Sequence, residues 1–181
     1  MKTLIIHPSD NSTAFLKPIY EGIEDKTVIT HGKRRDEIIE LIENHDRVMM
    51  MGHGSPSGLF GIGFERMFVI DNGLVEYLNK KENNVFIWCN ADRFVERYKL
   101  KGFYSGMFIS EVGEAYYCGL PKTPQSVVDE SNDEFARMLG ECFTDKKQLN
   151  ESYNIIKNSY GELAKNNIVA KYNYERLYLA L

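Results

Sequence analysis

The chain has little that would staple, anchor or strongly charge it. Three cysteines among 181 residues, Cys89, Cys118 and Cys142, are too few and too scattered for a disulfide framework, and no CxxC pair marks a zinc site. Apolar runs extend only a few residues, so no membrane span is expected. The start, Met1-Lys2-Thr3-Leu4-Ile5-Ile6-His7, carries one basic residue and too short an apolar stretch for a signal peptide. A net positive charge is also missing: 22 Lys and Arg stand against 26 Asp and Glu, giving −4. Nucleic acid is therefore not an expected partner, and Lys33-Arg34-Arg35 reads as a solvated helix start. No repeat, low-complexity stretch or linker interrupts the chain. The expectation is a reduced, cytoplasmic protein of one domain over 1–181, needing neither cofactor nor metal, with its oligomeric state open.

What is present is a hydrophobic share of 43%, enough to fill one core without cross-links. Short apolar runs alternate with amphipathic stretches. Leu4-Ile5-Ile6, Thr27-Val28-Ile29-Thr30, Arg47-Val48-Met49-Met50-Met51 and Val85-Phe86-Ile87-Trp88 read as strands. Helical spacing is expected over 12–24, 33–45, 72–82 and 92–99, with Pro18 forcing a kink or late start in the first. Met67 to Ile70 reads as a short strand or loop edge, and the Gly- and Ser-rich stretch 52–63 as a loop. Gly106-Met107-Phe108-Ile109-Ser110 reads as a fifth buried strand. Two longer helices follow Pro121, and Val169 to Tyr178 reads as a terminal edge strand or arm. Strand–helix alternation with near-continuous apolar strands predicts an α/β fold, a three-layer sandwich around a mostly parallel sheet.

In such sheets ligands bind beyond the carboxyl ends of the strands. That rim collects His7, Ser9 and Asp10, then His31, then His53, Gly54, Ser55 and Ser57, then Cys89, Asn90 and Asp92, then Ser110, Glu111 and Glu114. His53 and Cys89 are expected on consecutive parallel strands, about 4.8 Å apart. An imidazole beside a thiol is the pairing that makes a usable thiolate near neutral pH. Taken alone, Cys89 fits a buried structural cysteine and His53 a loop hydrogen-bonder; the joint placement turns them into a candidate dyad. The backbone N–H of Gly54, with that of Cys89, would suit an oxyanion. His45 closes a helix and reads as structural.

An apolar strand ending in His53-Gly54, a helix, and an apolar strand ending in Cys89 resemble the caspase-like cysteine peptidases, which include caspases, metacaspases, gingipains, separase and the bacterial CHAT-type proteases. Gly102 to Ser110 also looks like the helix-to-strand step after the CHAT nucleophile. The resemblance covers roughly residues 1–115. It implies a caspase-like topology, Cys89 as nucleophile, His53 as general base, and oxyanion donors at Gly54 and Cys89. The substrate would be a peptide or protein. Glu111 and Glu114, or Asp92, would then line a pocket favouring Arg or Lys before the cleaved bond, although a solvated loop is the simpler account of the two glutamates. Trp88 departs from the small residue that the group usually places before its cysteine.

Two other readings use the same rim. A non-catalytic, Rossmann-like module would hold a small or nucleotide-like ligand with His7, Ser9, His31 and the glycine-rich loop, although that loop lacks both the P-loop ending and the dinucleotide fingerprint. An inactive caspase-like relative would act through protein contacts.

Overall fold

The computed structural model describes residues 1–144 and 148–181. In chain order, β1 (Thr3–Ile6) leads through a 3-10 turn (Ala14–Leu16) into the short α1 (Pro18–Glu21). Next come β2 (Lys26–Ile29), α2 (Arg35–Glu43) and β3 (Arg47–Met51), then three short strands, β4 (Gly54–Ser55), β5 (Gly58–Phe60) and β6 (Phe68–Ile70). A second 3-10 turn (Asn72–Leu74), α3 (Val75–Leu78), β7 (Asn84–Ile87), α4 (Ala91–Tyr98) and β8 (Gly102–Ser105) continue the alternation. The remainder is helical, α5 (Val112–Tyr117), α6 (Gln125–Thr144), α7 (Leu149–Leu163) and α8 (Ile168–Tyr174), until β9 (Leu177–Ala180).

Six strands form one sheet in the order β2-β1-β3-β7-β8-β9. Every neighbouring pair is parallel except β8 with β9. Alternation along the strands divides the core in two. Ile5, Met49, Met51, Val85, Ile87 and Phe103 face α1, α6 and α7. Leu4, Ile6, Val48, Met50, Phe86 and Trp88 face α2, α3 and α4. This is an α/β fold with a mostly parallel central sheet and eight α-helices among the described residues, compatible with a three-layer sandwich. None of those helices is long and apolar enough to cross a membrane.

Pro18 does start its helix late: it takes the first position of α1, where its missing N–H has no partner to lose. The stretch expected to be a helix over 72–82 is a 3-10 turn and four helical residues. The glycine-rich stretch is not a plain loop. Residues 54–60 form a hairpin onto which β6 adds. Gly58 makes this possible with φ of +142°, and a Cβ there would sit 1.9 Å from the Ile70 carbonyl oxygen. The fifth strand of the sheet lies at 102–105, not 106–110. Phe108 and Ile109 are apolar because they pack under helices: Phe108 meets Phe135 of α6 at 4.6 Å between rings, and Ile109 clusters with Ala115, Val128 and Val169. The tail holds both a helix and a strand, α8 and β9.

Candidate active site

The rim at the carboxyl ends of β1, β3, β7 and β8 is where the candidate chemistry gathers. β3 and β7 are neighbours, and Met51 pairs with Ile87. The same offset, carried two residues on, matches His53 with Cys89. Gly52 extends the ladder by donating to the Ile87 carbonyl at 3.0 Å. His53 and Cys89 line one narrow cavity of about 20 Å³, with Gly52, Thr13, Phe15 and Phe108 among its walls. That volume holds one water and no more. Phe15 and Phe108 stack beside it, ring centres 6.5 Å apart.

Each member of the pair has partners of its own. The His53 Nε2 lies 2.6 Å from the Ser12 Oγ, and that hydroxyl lies 2.5 Å from Asp10 Oδ1. The Ser12 amide also donates to Asp10 Oδ1, at 2.8 Å. These bonds hold the Asp10 carboxyl below its ordinary range. The Cys89 thiol faces the Phe108 carbonyl at 3.4 Å and Glu114 Oε1 at 3.7 Å. Burial, and next the Glu114 carboxylate, push the thiol up to about 12. At rest, then, Cys89 is a protonated thiol donor.

Glu114 is held firmly. Its Oε2 accepts from the Ser110 amide (2.7 Å), the Ser110 hydroxyl (2.9 Å) and the Glu111 amide (3.1 Å). Glu111 and Glu114 form a reciprocal capping box at the start of α5, so the exposed Glu111 side chain accepts from backbone there. Of the three acidic candidates, Glu114 alone contacts Cys89. Asp92 sits in the first turn of α4. Its Oδ1 is buried without a hydrogen-bond partner, and its Oδ2 lies 3.5 Å from where a Cβ on Gly106 would stand, beside Arg176.

Trp88 also borders the cavity, yet its ring belongs to the other half of the core from Cys89. Strand alternation sends its ring to the opposite face, edge-on to Phe86 and Phe94, each 5.7 Å away. Its Nε1 donates to the Ser55 carbonyl at 3.1 Å. A Cβ on Gly54 would stand 2.2 Å from Trp88 Cδ1, so glycine is required there for packing. In the β4–β5 hairpin Phe60 donates to the His53 carbonyl, which makes Gly54 and Leu59 the next, non-hydrogen-bonded pair. The Gly54 N–H therefore points away from β5. Directly after Cys89, Asn90 takes a left-handed conformation (φ +65°) as the chain turns into α4.

The remaining histidines are placed elsewhere. His7 is buried, with Nδ1 at 3.0 Å from Tyr20 Oη and Nε2 at 3.2 Å from Thr13 Oγ1. Burial, and then Lys17, lower it to about 4. A ligand-binding reading that uses His7 loses that residue to internal bonds. His31 is exposed and bonded to Thr30 Oγ1 at 2.8 Å. His45 is bonded to the Leu41 carbonyl and to Thr27 Oγ1, a structural role. No group of three or more His, Cys, Asp or Glu side chains among the described residues is placed to hold a metal ion. A roomier cavity of about 430 Å³ lies between the start of α2 and the segment 64–69. Three of the four cations that line it are engaged, Lys33 with Glu37, Arg34 with Asp36 and Arg35 with Asp71; Arg66 is the fourth.

Sequence reasoning did not find Ser12 as a partner of His53; it fell at the start of the stretch expected to be helical, 12–24. The available signal was Asp10 and Ser12 on the loop that leaves the strand next to β3. No family model matches the chain, and no curated protein is significantly similar to it.

Proposed function

We propose that this chain is a caspase-like cysteine hydrolase, an endopeptidase that uses Cys89 as nucleophile and His53 as general base. The observation that carries the reading is that His53 and Cys89, each two residues beyond the paired strands β3 and β7, line one cavity at the carboxyl rim. The strand order supports it too. The strand that ends in His53 and the strand that ends in Cys89 are the third and fourth of the central sheet in chain order, as in the resembled group.

The chemistry is acyl transfer. The Cys89 thiol gives its proton to His53, and the sulfur forms a bond to the substrate carbonyl carbon. The carbonyl π electrons move to oxygen, where the N–H groups of Gly54 and Cys89 receive the charge. The C–N bond then breaks, His53 returns the proton to the leaving amine, and water releases the acyl group. Glu114 favours Arg or Lys before the cleaved bond. A cationic side chain paired with that carboxylate would also remove the charge that disfavours the thiolate.

A second reading is an inactive relative that works through protein contacts. Its supporting observation is the resting thiol, pushed up to about 12 inside a cavity with room for one water. Peptide probes bearing an acyloxymethyl ketone, with Arg, Lys or Asp beside the warhead, separate the two. The hydrolase reading expects the Arg and Lys probes to modify Cys89, found by mass mapping, and His53→Ala to abolish this. It also expects Cys89→Ala to abolish peptide hydrolysis. If Cys89 reacts no faster than Cys118 and no peptide is cleaved, the inactive relative is the right reading.

A further inference from the structure

We infer that Ser12 and Asp10 are positioning residues: they hold His53 in the tautomer protonated on Nε2, leaving Nδ1 as the nitrogen that exchanges a proton with Cys89. This rests on the hydrolase reading for its functional meaning, but the tautomer itself stands on geometry alone.

Proton counting fixes the arrangement. The Asp10 carboxylate can only accept. The Ser12 hydroxyl owns a single proton, and Asp10 Oδ1 at 2.5 Å takes it. The Ser12 Oγ is then left with lone pairs alone, so His53 Nε2 at 2.6 Å must be the donor. In a neutral imidazole, a donor on Nε2 makes Nδ1 the acceptor. When Nδ1 takes the thiol proton, the ring becomes an imidazolium whose Nε2–H still donates to Ser12. The Asp10 carboxylate behind that hydroxyl stabilises the positive charge.

The loop that carries the two residues is itself fixed. His7 and Ser9 extend the β1–β2 ladder by donating to the carbonyls of Ile29 and Thr30. The Ser12 amide closes a turn on Asp10, and the next residue, Thr13, is buttressed by buried His7. Such a chain of partners holds an imidazole by its far nitrogen, as a carboxylate does in a serine hydrolase triad. Here a hydroxyl stands between the carboxylate and the ring.

The test is the nitrogen-15 spectrum of the His53 ring in the full chain, recorded where the ring is neutral. The expected result is a protonated Nε2 and an unprotonated Nδ1. Ser12→Ala should relax this to a mixture of tautomers, and Ser12→Thr should restore it. On a cleaved peptide, Ser12→Ala should lower kcat about 10²-fold, short of the ~10⁴-fold lost when a triad's orienting carboxylate is replaced, with KM nearly unchanged. A proton on Nδ1 in the unsubstituted protein would overturn the inference, as would an unchanged ring spectrum in Ser12→Ala. If Ser12→Ala fails to fold, the spectrum of the unsubstituted chain decides. The expected tautomer in a chain that cleaves no peptide would defeat the hydrolase reading and leave the positioning intact.

Discussion

Replacing Glu114 by glutamine should make Cys89 more reactive while weakening any cleavage after a basic residue. Its Oε1 lies 3.7 Å from the sulfur. At an effective dielectric near 20, a carboxylate and a thiolate at that distance repel by about 4–5 kcal/mol, or ~3 pKa units, which is an upper bound. The whole rise of the thiol, from 9.0 to about 12, is of that size, and burial is its larger cause. Glu114 is the next cause, through its charge and its contact with the thiol, while the hydrogen bond to the Phe108 carbonyl pulls the other way. Glutamine keeps an acceptor for the amides of Ser110 and Glu111, so the start of α5 is retained. For each unit by which the substitution lowers the thiol, the thiolate fraction at pH 9 should rise about tenfold, while the lower basicity costs about threefold in nucleophilicity, for a net gain of ~3–4-fold. The assay is the rate of iodoacetamide modification of Cys89 against pH, read by mass mapping with Cys118 as internal control. An unchanged or higher apparent pKa in Glu114→Gln would refute the assignment of Glu114 as a brake on the thiol. Loss of Arg and Lys probe labelling in the same variant, alongside faster iodoacetamide reaction, is the signature of a carboxylate with both roles.

Two other substitutions read the frame of the site. His7 is neutral in the fold and lowered to about 4 from 6.5, so the unfolded chain binds the proton first as pH falls. Stability contributed above pH 6.5 should drain away between 6.5 and 4 by about 3 kcal/mol, and His7→Gln should flatten that slope in urea titrations at each pH. Gly54→Ala places a methyl against the Trp88 ring and the Gly58 carbonyl, and should destabilise by about 1–3 kcal/mol, seen as a lower urea midpoint at unchanged slope.

The parts of this fold that could be read from sequence are those buried on both faces. Leu4 to Ile6, Val48 to Met51 and Val85 to Ile87 are apolar without alternation because helices cover each side of the sheet, and that makes their ends, and hence the rim, easy to find. Runs that are buried for another reason mislead. Met107-Phe108-Ile109 has the composition of a strand, yet Phe108 is apolar to meet Phe15 and Phe135, whereas the true strand, Gly102-Phe103-Tyr104-Ser105, begins on a glycine. The hairpin after β3 was hidden by its own glycines, which signal a turn while also permitting close pairing at Gly58. Ser12 could not be assigned from spacing, because its value lies in a contact 41 residues away in the chain. Trp88 posed the opposite difficulty: it departs from the small residue expected before Cys89, and only alternation shows that its ring packs in the other half of the core.

The antiparallel last strand has a bearing on how this protein could associate. β9 covers the outer side of β8 from Gly102 to Ser105, with Tyr104 and Tyr178 stacked across the seam. A form shortened before Leu177 would leave β8 with a row of unpaired amides and carbonyls and a bare tyrosine, the kind of border that recruits a matching strand from another copy. The tail of the chain thus sets which strand forms the border there: β9, running against the others, in place of β8.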